Sequence, residues 1–137
     1  MKIVKEFPPN IDLIRNRFTL HKGIVFTFGD TIYNPDDGLI DAPLLFHETT
    51  HSVQQGDNPT KWLARYLIDD DFRFVQELEA YQNQYKKYCE LNKDRNARAR
   101  FLNRIATDLS SSMYGSFCKK SDALRCILNN TKFTITE

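Results

Sequence analysis

The stretch His47-Glu48-Thr49-Thr50-His51 constrains this chain more than any other. Two of its three histidines stand four residues apart around a glutamate. In a helix, residues i and i+4 lie one above the other on the same face, so the segment reads as helical. The flanks agree. Asp41 suits an N-cap, Ala42-Pro43 suits a first turn, and Gly56-Asp57-Asn58-Pro59 stops the helix after Gln55. Two imidazoles so placed can reach one Zn²⁺ at about 2.0–2.1 Å each. Glu48 then lies beside the water such an ion holds, where it can act as general base. Zinc moves that water's pKa towards about 7, which yields a hydroxide-like nucleophile at neutral pH.

A catalytic zinc takes three protein ligands and keeps a fourth position open. With so few imidazoles, the third ligand must be His21 or a carboxylate. The run Gln76-Glu77-Leu78-Glu79-Ala80-Tyr81 supplies candidates on a later helix. The apolar stripe of that helix is Phe74, Leu78, Tyr81, Tyr85 and Tyr88. Glu77 lies beside the stripe and Glu79 points away from it. A carboxylate on the inward side is costly unless paired or metal-bound. Glu77 is therefore the favoured third ligand; Glu79, His21 and an ion pair of Glu77 with a lysine or arginine stay open.

The rest of the chain supports an α+β fold, a small N-terminal antiparallel sheet or hairpin packed on a mostly helical body. Lys2 to Phe7 suits a short edge strand ended by Pro8-Pro9, and Asn10 can cap a brief helix to Phe18. Ile24–Phe28 and Thr31–Tyr33 flank Gly29-Asp30 as a tight hairpin. Further helices are predicted from about Pro59 to Leu67, Phe72 to Leu91, Arg95 to Leu109, and from a Ser121 cap to Leu128. Thr131 to Glu137 is a β-prone tail. A chain of 137 residues suits one domain.

Composition excludes several classes. Nineteen basic against eighteen acidic residues argue against a whole-chain nucleic-acid or membrane-surface protein. The basic stretch Lys93, Arg95, Arg98, Arg100 and Arg104 reads as a solvated helix face, so nucleic acid is not the expected partner. No run is long enough for a membrane span, and charge and proline break the start before a signal-peptide core forms. A cytoplasmic setting is the expectation. Cys89, Cys118 and Cys126 form neither a disulfide framework nor a zinc-finger spacing.

HExxH followed by a glutamate on a second helix resembles the gluzincin class of zinc metallopeptidases. The spacing from His51 to Glu77 falls within the range that class uses, and Glu77-Leu78-Glu79-Ala80 matches the start of its ExxAD form. Tyr81 stands where the class has aspartate. That aspartate orients a ligand histidine, so Tyr81 or another group must do so here. A wider resemblance is to small, phage-encoded HExxH proteins of peptidase type. It is carried by Phe28 to Pro35, His47 to Gln55, Trp62 to Leu67, Phe72-Arg73 with Glu77 to Tyr81, and Leu109 to Gly115.

The resemblance implies a minimal zinc peptidase acting on a peptide or protein, in a phage's host or in a virion. His47, His51 and Glu77 would hold zinc and Glu48 would be the base. Among Tyr33, Tyr66, Tyr81 and Tyr114, Tyr81 is the foremost candidate to stabilise the oxyanion. Gln54 and Gln55 can hydrogen-bond a ligand or substrate backbone. A peptide backbone could pair with the edge of the hairpin. A shallow, open groove is expected from so short a chain. The competing reading is a non-catalytic, zinc-stabilised phage structural or host-interaction module, which a fourth protein ligand would favour.

Overall fold

The computed structural model describes residues 1–133, and the last four residues of the expected β-prone tail lie outside the described part. Thr131 to Phe133 are not in a strand, and Phe133 packs its ring near Phe74.

The N-terminal third forms a three-stranded sheet from β1 (Lys2–Val4), β2 (Phe26–Phe28) and β3 (Thr31–Tyr33), with a short helix, α1 (Ile11–Arg17), between β1 and β2. Gly29 takes φ +65°, the left-handed value needed at the first central position of a two-residue hairpin. The hairpin strands pair antiparallel, Phe26 opposite Tyr33 and Phe28 opposite Thr31. The strand order is β1-β3-β2 and β1 runs parallel to β3. The sheet is thus mixed rather than wholly antiparallel. β1 stops at Val4, short of the expected Phe7 and well before Pro8-Pro9, and the chain passes through α1 before the hairpin begins. A connection of this kind is what a parallel neighbour requires.

The body comprises α2 (Ala42–Gln55), α3 (Pro59–Ile68), α4 (Asp70–Leu91), α5 (Arg95–Leu109) and α6 (Lys120–Asn129), with a 3₁₀ turn at Ser112–Tyr114. Short polar side chains start several of them. Asp41 accepts from the Leu44 amide, Asn58 from Lys61, and Asp69 from Phe72. Asp69 both ends α3 and caps α4, so the chain turns sharply there. Ser121 is not the cap of α6: that helix starts at Lys120, and Asp122 accepts from the Lys119 amide.

Helix α4 is central and carries two buried stripes. Phe74, Leu78 and Tyr81 pack against Phe101, Leu102, Ile105, Leu109, Ala123 and Ile127 of α5 and α6, forming the apolar core. Beside that stripe, Arg73, Glu77 and Gln84 are also buried. Arg73 is tied down by Met113 O at 2.8 Å, Tyr66 O at 2.7 Å and the Asp70 carboxylate. The other two polar residues form part of the site below, facing α2.

Two of the five residues in the basic stretch have structural partners. Arg98 donates to Asn92 O and Cys89 O at 2.6 Å each, closing the C-terminal end of α4, and Arg104 lies over the Phe101 ring. No helix among the described residues is long and apolar enough to cross a membrane.

Candidate metal centre

Helix α2 presents His47 and His51 to α4, where Glu77 meets them. All three are buried. His47 Nε2 lies 3.0 Å from Glu77 Oε1, His51 Nε2 lies 3.2 Å from the same oxygen, and the two Nε2 atoms are 3.2 Å apart. Three donor atoms thus form a nearly equilateral triangle. A tetrahedral ion with bonds of about 2.0–2.1 Å needs ligand atoms roughly 3.3 Å apart. The residues fit such an ion, and this trio could hold a metal.

The outer ring atoms show how the imidazoles are set. His47 Nδ1 is 2.8 Å from Gln84 Oε1, and His51 Nδ1 is 2.9 Å from Gln54 Oε1. The Gln54 amide orientation is fixed independently, because its Nε2 donates to Gln76 O and to Glu79 Oε1, each at 2.9 Å. Its oxygen must then face His51. Each Nδ1–H donates outward, which leaves an Nε2 lone pair pointing at the centre of the triangle. With both imidazoles neutral in this tautomer, two Nε2 lone pairs and a carboxylate oxygen face one centre, a donor set that could seat a cation.

Electrostatics agree. Among the described residues, neither Glu48 nor Glu77 pairs with a lysine or arginine; their only cationic partners are His47 and His51. An ion pair with a basic side chain therefore does not explain Glu77. Without metal, burial works to raise the Glu77 pKa, but His51 and His47 hold it far below the usual carboxylate range. Burial works to lower His51, yet the adjacent Glu77 charge and hydrogen bond push it up to about 9. The trio thus holds itself together by sharing a proton where a divalent ion would supply two charges.

Glu48 is buried on the side of α2 that meets the sheet. Thr27 of β2 donates to its Oε1 at 3.0 Å, and its Oε2 is 3.7 Å from His47 Nε2. One turn on from Ser52 sits Gln55, which binds Thr27 O at 2.8 Å and the Gly29 amide at 2.7 Å, while Ser52 donates to Gly29 O. These contacts fasten the hairpin to α2. They also use backbone groups on the strand edge expected to receive a peptide. Gln55 is therefore a strut for the sheet, and Gln54 a support for His51.

The remaining candidates separate clearly. Glu79 is exposed and acts on Gln54, not at the triangle. His21 is exposed at the pocket wall, with Nδ1 3.0 Å from Lys22 O. Tyr33 is not among the pocket residues. Tyr81 and Tyr114 line the pocket, and the Tyr81 ring stands edge-on to His47 at 4.6 Å. Tyr66 donates to Glu77 Oε2 at 2.5 Å. Burial and the Glu77 charge raise the phenol pKa of both Tyr66 and Tyr81.

The site is not the shallow groove expected from chain length. It lines a cavity of about 310 Å³, shared with Phe18 and Leu20 after α1 and with Ile24, Phe26 and Leu63. Residues between β1 and β2 fold over α2 and α3 and build an apolar wall. Gln84 went unread in the sequence, although it lies two helical turns from Glu77 on the same stripe.

Comparison with family models, curated proteins and solved structures found no match to this chain.

Proposed function

We propose that this chain is a zinc-dependent metallohydrolase, most simply a peptidase of gluzincin type. The observation that carries the reading is the triangle of His47 Nε2, His51 Nε2 and Glu77 Oε1, with no lysine or arginine partner for its carboxylate among the described residues. Two imidazoles and one carboxylate are a donor set that suits zinc at a catalytic site. Zinc, when bound, supplies Lewis acidity, activating water and polarising a carbonyl.

The protein's own residues do the rest. Glu48 accepts a proton at a carboxylate oxygen as the water oxygen bonds to the substrate carbonyl carbon. It returns that proton to the departing nitrogen as the C–N bond breaks. Thr27 holds the other carboxylate oxygen, so the base is aimed rather than free. Tyr81 lines the pocket beside His47 and is the phenol proposed to meet the developing oxyanion. Phe18, Leu20, Ile24 and Phe26 form an apolar wall beside these groups. His21 is not part of the triangle, and no fourth protein ligand joins it among the described residues, which supports an open position over a closed structural site. The proposed substrate is a peptide or protein, and the proposed setting is cytoplasmic, in keeping with three free cysteines.

Metal analysis paired with a peptide-cleavage assay tests the reading. Close to one zinc per chain is expected, with cleavage abolished by chelator and restored by zinc. Purified protein that takes up no zinc overturns it. A further outcome concerns Gln84: replacing it with leucine removes the acceptor for His47 Nδ1–H and should weaken zinc binding by about 10–100-fold. Competition with a coloured chelator measures this, and unchanged affinity would show that Gln84 does not orient the ligand.

A further inference from the structure

We infer that Tyr66 is a positioning residue that holds Glu77 to one-oxygen coordination and so keeps a place at the metal for water or substrate. The inference rests on the metal reading above. Glu77 divides its two oxygens: Oε1 faces both imidazoles at 3.0 and 3.2 Å, while Oε2 accepts the Tyr66 hydroxyl at 2.5 Å. A bond this short from a phenol to a carboxylate is a charge-assisted one. Any rotation that brought Oε2 into the triangle would have to break it.

The phenol is itself held firmly. Its ring stacks on Trp62 at 4.9 Å between centroids and an interplanar angle of 22°, and meets the edge of Phe18. Trp62 is anchored through Nε1 to Gln76 Oε1 at 3.0 Å. The Tyr66 carbonyl accepts from the buried Arg73 at 2.7 Å. Trp62 and Tyr66 are one turn apart on α3, Gln76 and Arg73 are on α4, and Phe18 follows α1. Three elements thus converge to place one hydroxyl on one oxygen. With that hydroxyl committed, Tyr66 is not the oxyanion donor considered from the sequence.

Cobalt(II) substituted for zinc reads the coordination number directly, because four-coordinate cobalt absorbs visible light several-fold more strongly than five- or six-coordinate cobalt. The wild-type protein should give the intense four-coordinate spectrum. Tyr66→Phe keeps the ring stacked on Trp62 and removes only the hydroxyl. It should bind cobalt in the same ratio, with a several-fold weaker visible band as Oε2 joins the metal. Tyr114→Phe, which alters another buried pocket phenol without a bond to Glu77, should retain the wild-type spectrum. An unchanged band in a folded, cobalt-loaded Tyr66→Phe overturns the inference alone, as does an equal loss in Tyr114→Phe. Wild-type protein that binds no cobalt overturns the metal reading and this inference with it.

Discussion

Replacing Glu48 with glutamine is expected to leave zinc bound and to reduce turnover by about 10²–10⁴-fold. The two side chains are nearly the same shape. A glutamine oxygen can still accept from Thr27, which now holds Oε1 at 3.0 Å. The candidate ligand triangle is made by other residues, and Glu48 Oε2 lies 3.7 Å from His47 Nε2. What the amide cannot do is take a proton from water and pass it to a leaving nitrogen. The loss should therefore fall on kcat, with KM and zinc content close to wild type. Full activity in the variant would show that another group is the base. Loss of zinc would place Glu48 among the ligands.

Much of the helical body is legible because its boundaries are local chemistry. Asp41 with Pro43 marks the start of α2, and both α2 and α5 end where the sequence places their stops. The His47, His51 and Glu77 triangle is legible for a related reason. The i, i+4 histidines are a helical repeat, and Glu77 lies on the inward side of its own helix. The choice of Glu77 over Glu79 follows from burial, which periodicity reports well.

Less legible is whatever depends on two distant segments meeting. Gln84 binds a histidine 37 residues earlier, and Tyr66 binds Glu77 from another helix. Neither pairing has a spacing signature. The sequence does hold one usable hint: Arg73, Glu77 and Gln84 form a polar stripe beside an apolar one, and polar residues buried in series need partners. The parallel pairing of β1 and the depth of the pocket share a cause. Both depend on how residues between β1 and β2 travel over the helices, and that path is set by packing rather than by turn residues. Length alone suggested an open groove because it counts residues without saying where the N-terminal segment lies.

Stripping the metal with a chelator is expected to lower the midpoint of thermal unfolding by about 10–15 °C. A ligand that binds only the folded state stabilises it by about 4 kcal/mol when its free concentration is a thousand times Kd. For a chain of this size, each kcal/mol moves the midpoint by roughly 3 °C. The affected contacts are specific. His47 and His51 belong to α2 and Glu77 to α4, so the ion would bridge the two helices that meet across the site. The metal-free protein should stay folded, because the Glu77 carboxylate and a protonated His51 satisfy one another. Faster amide exchange should then appear first along α2, whose hold on α4 is loosened, and later in the core of α5 and α6. Glu77→Ala supplies the control. It removes the carboxylate corner of the triangle, so the variant should lose high-affinity zinc and melt at the same temperature with or without chelator. A wild-type protein that is loaded with zinc yet melts unchanged after chelation would mean that the ion is held somewhere other than between these helices.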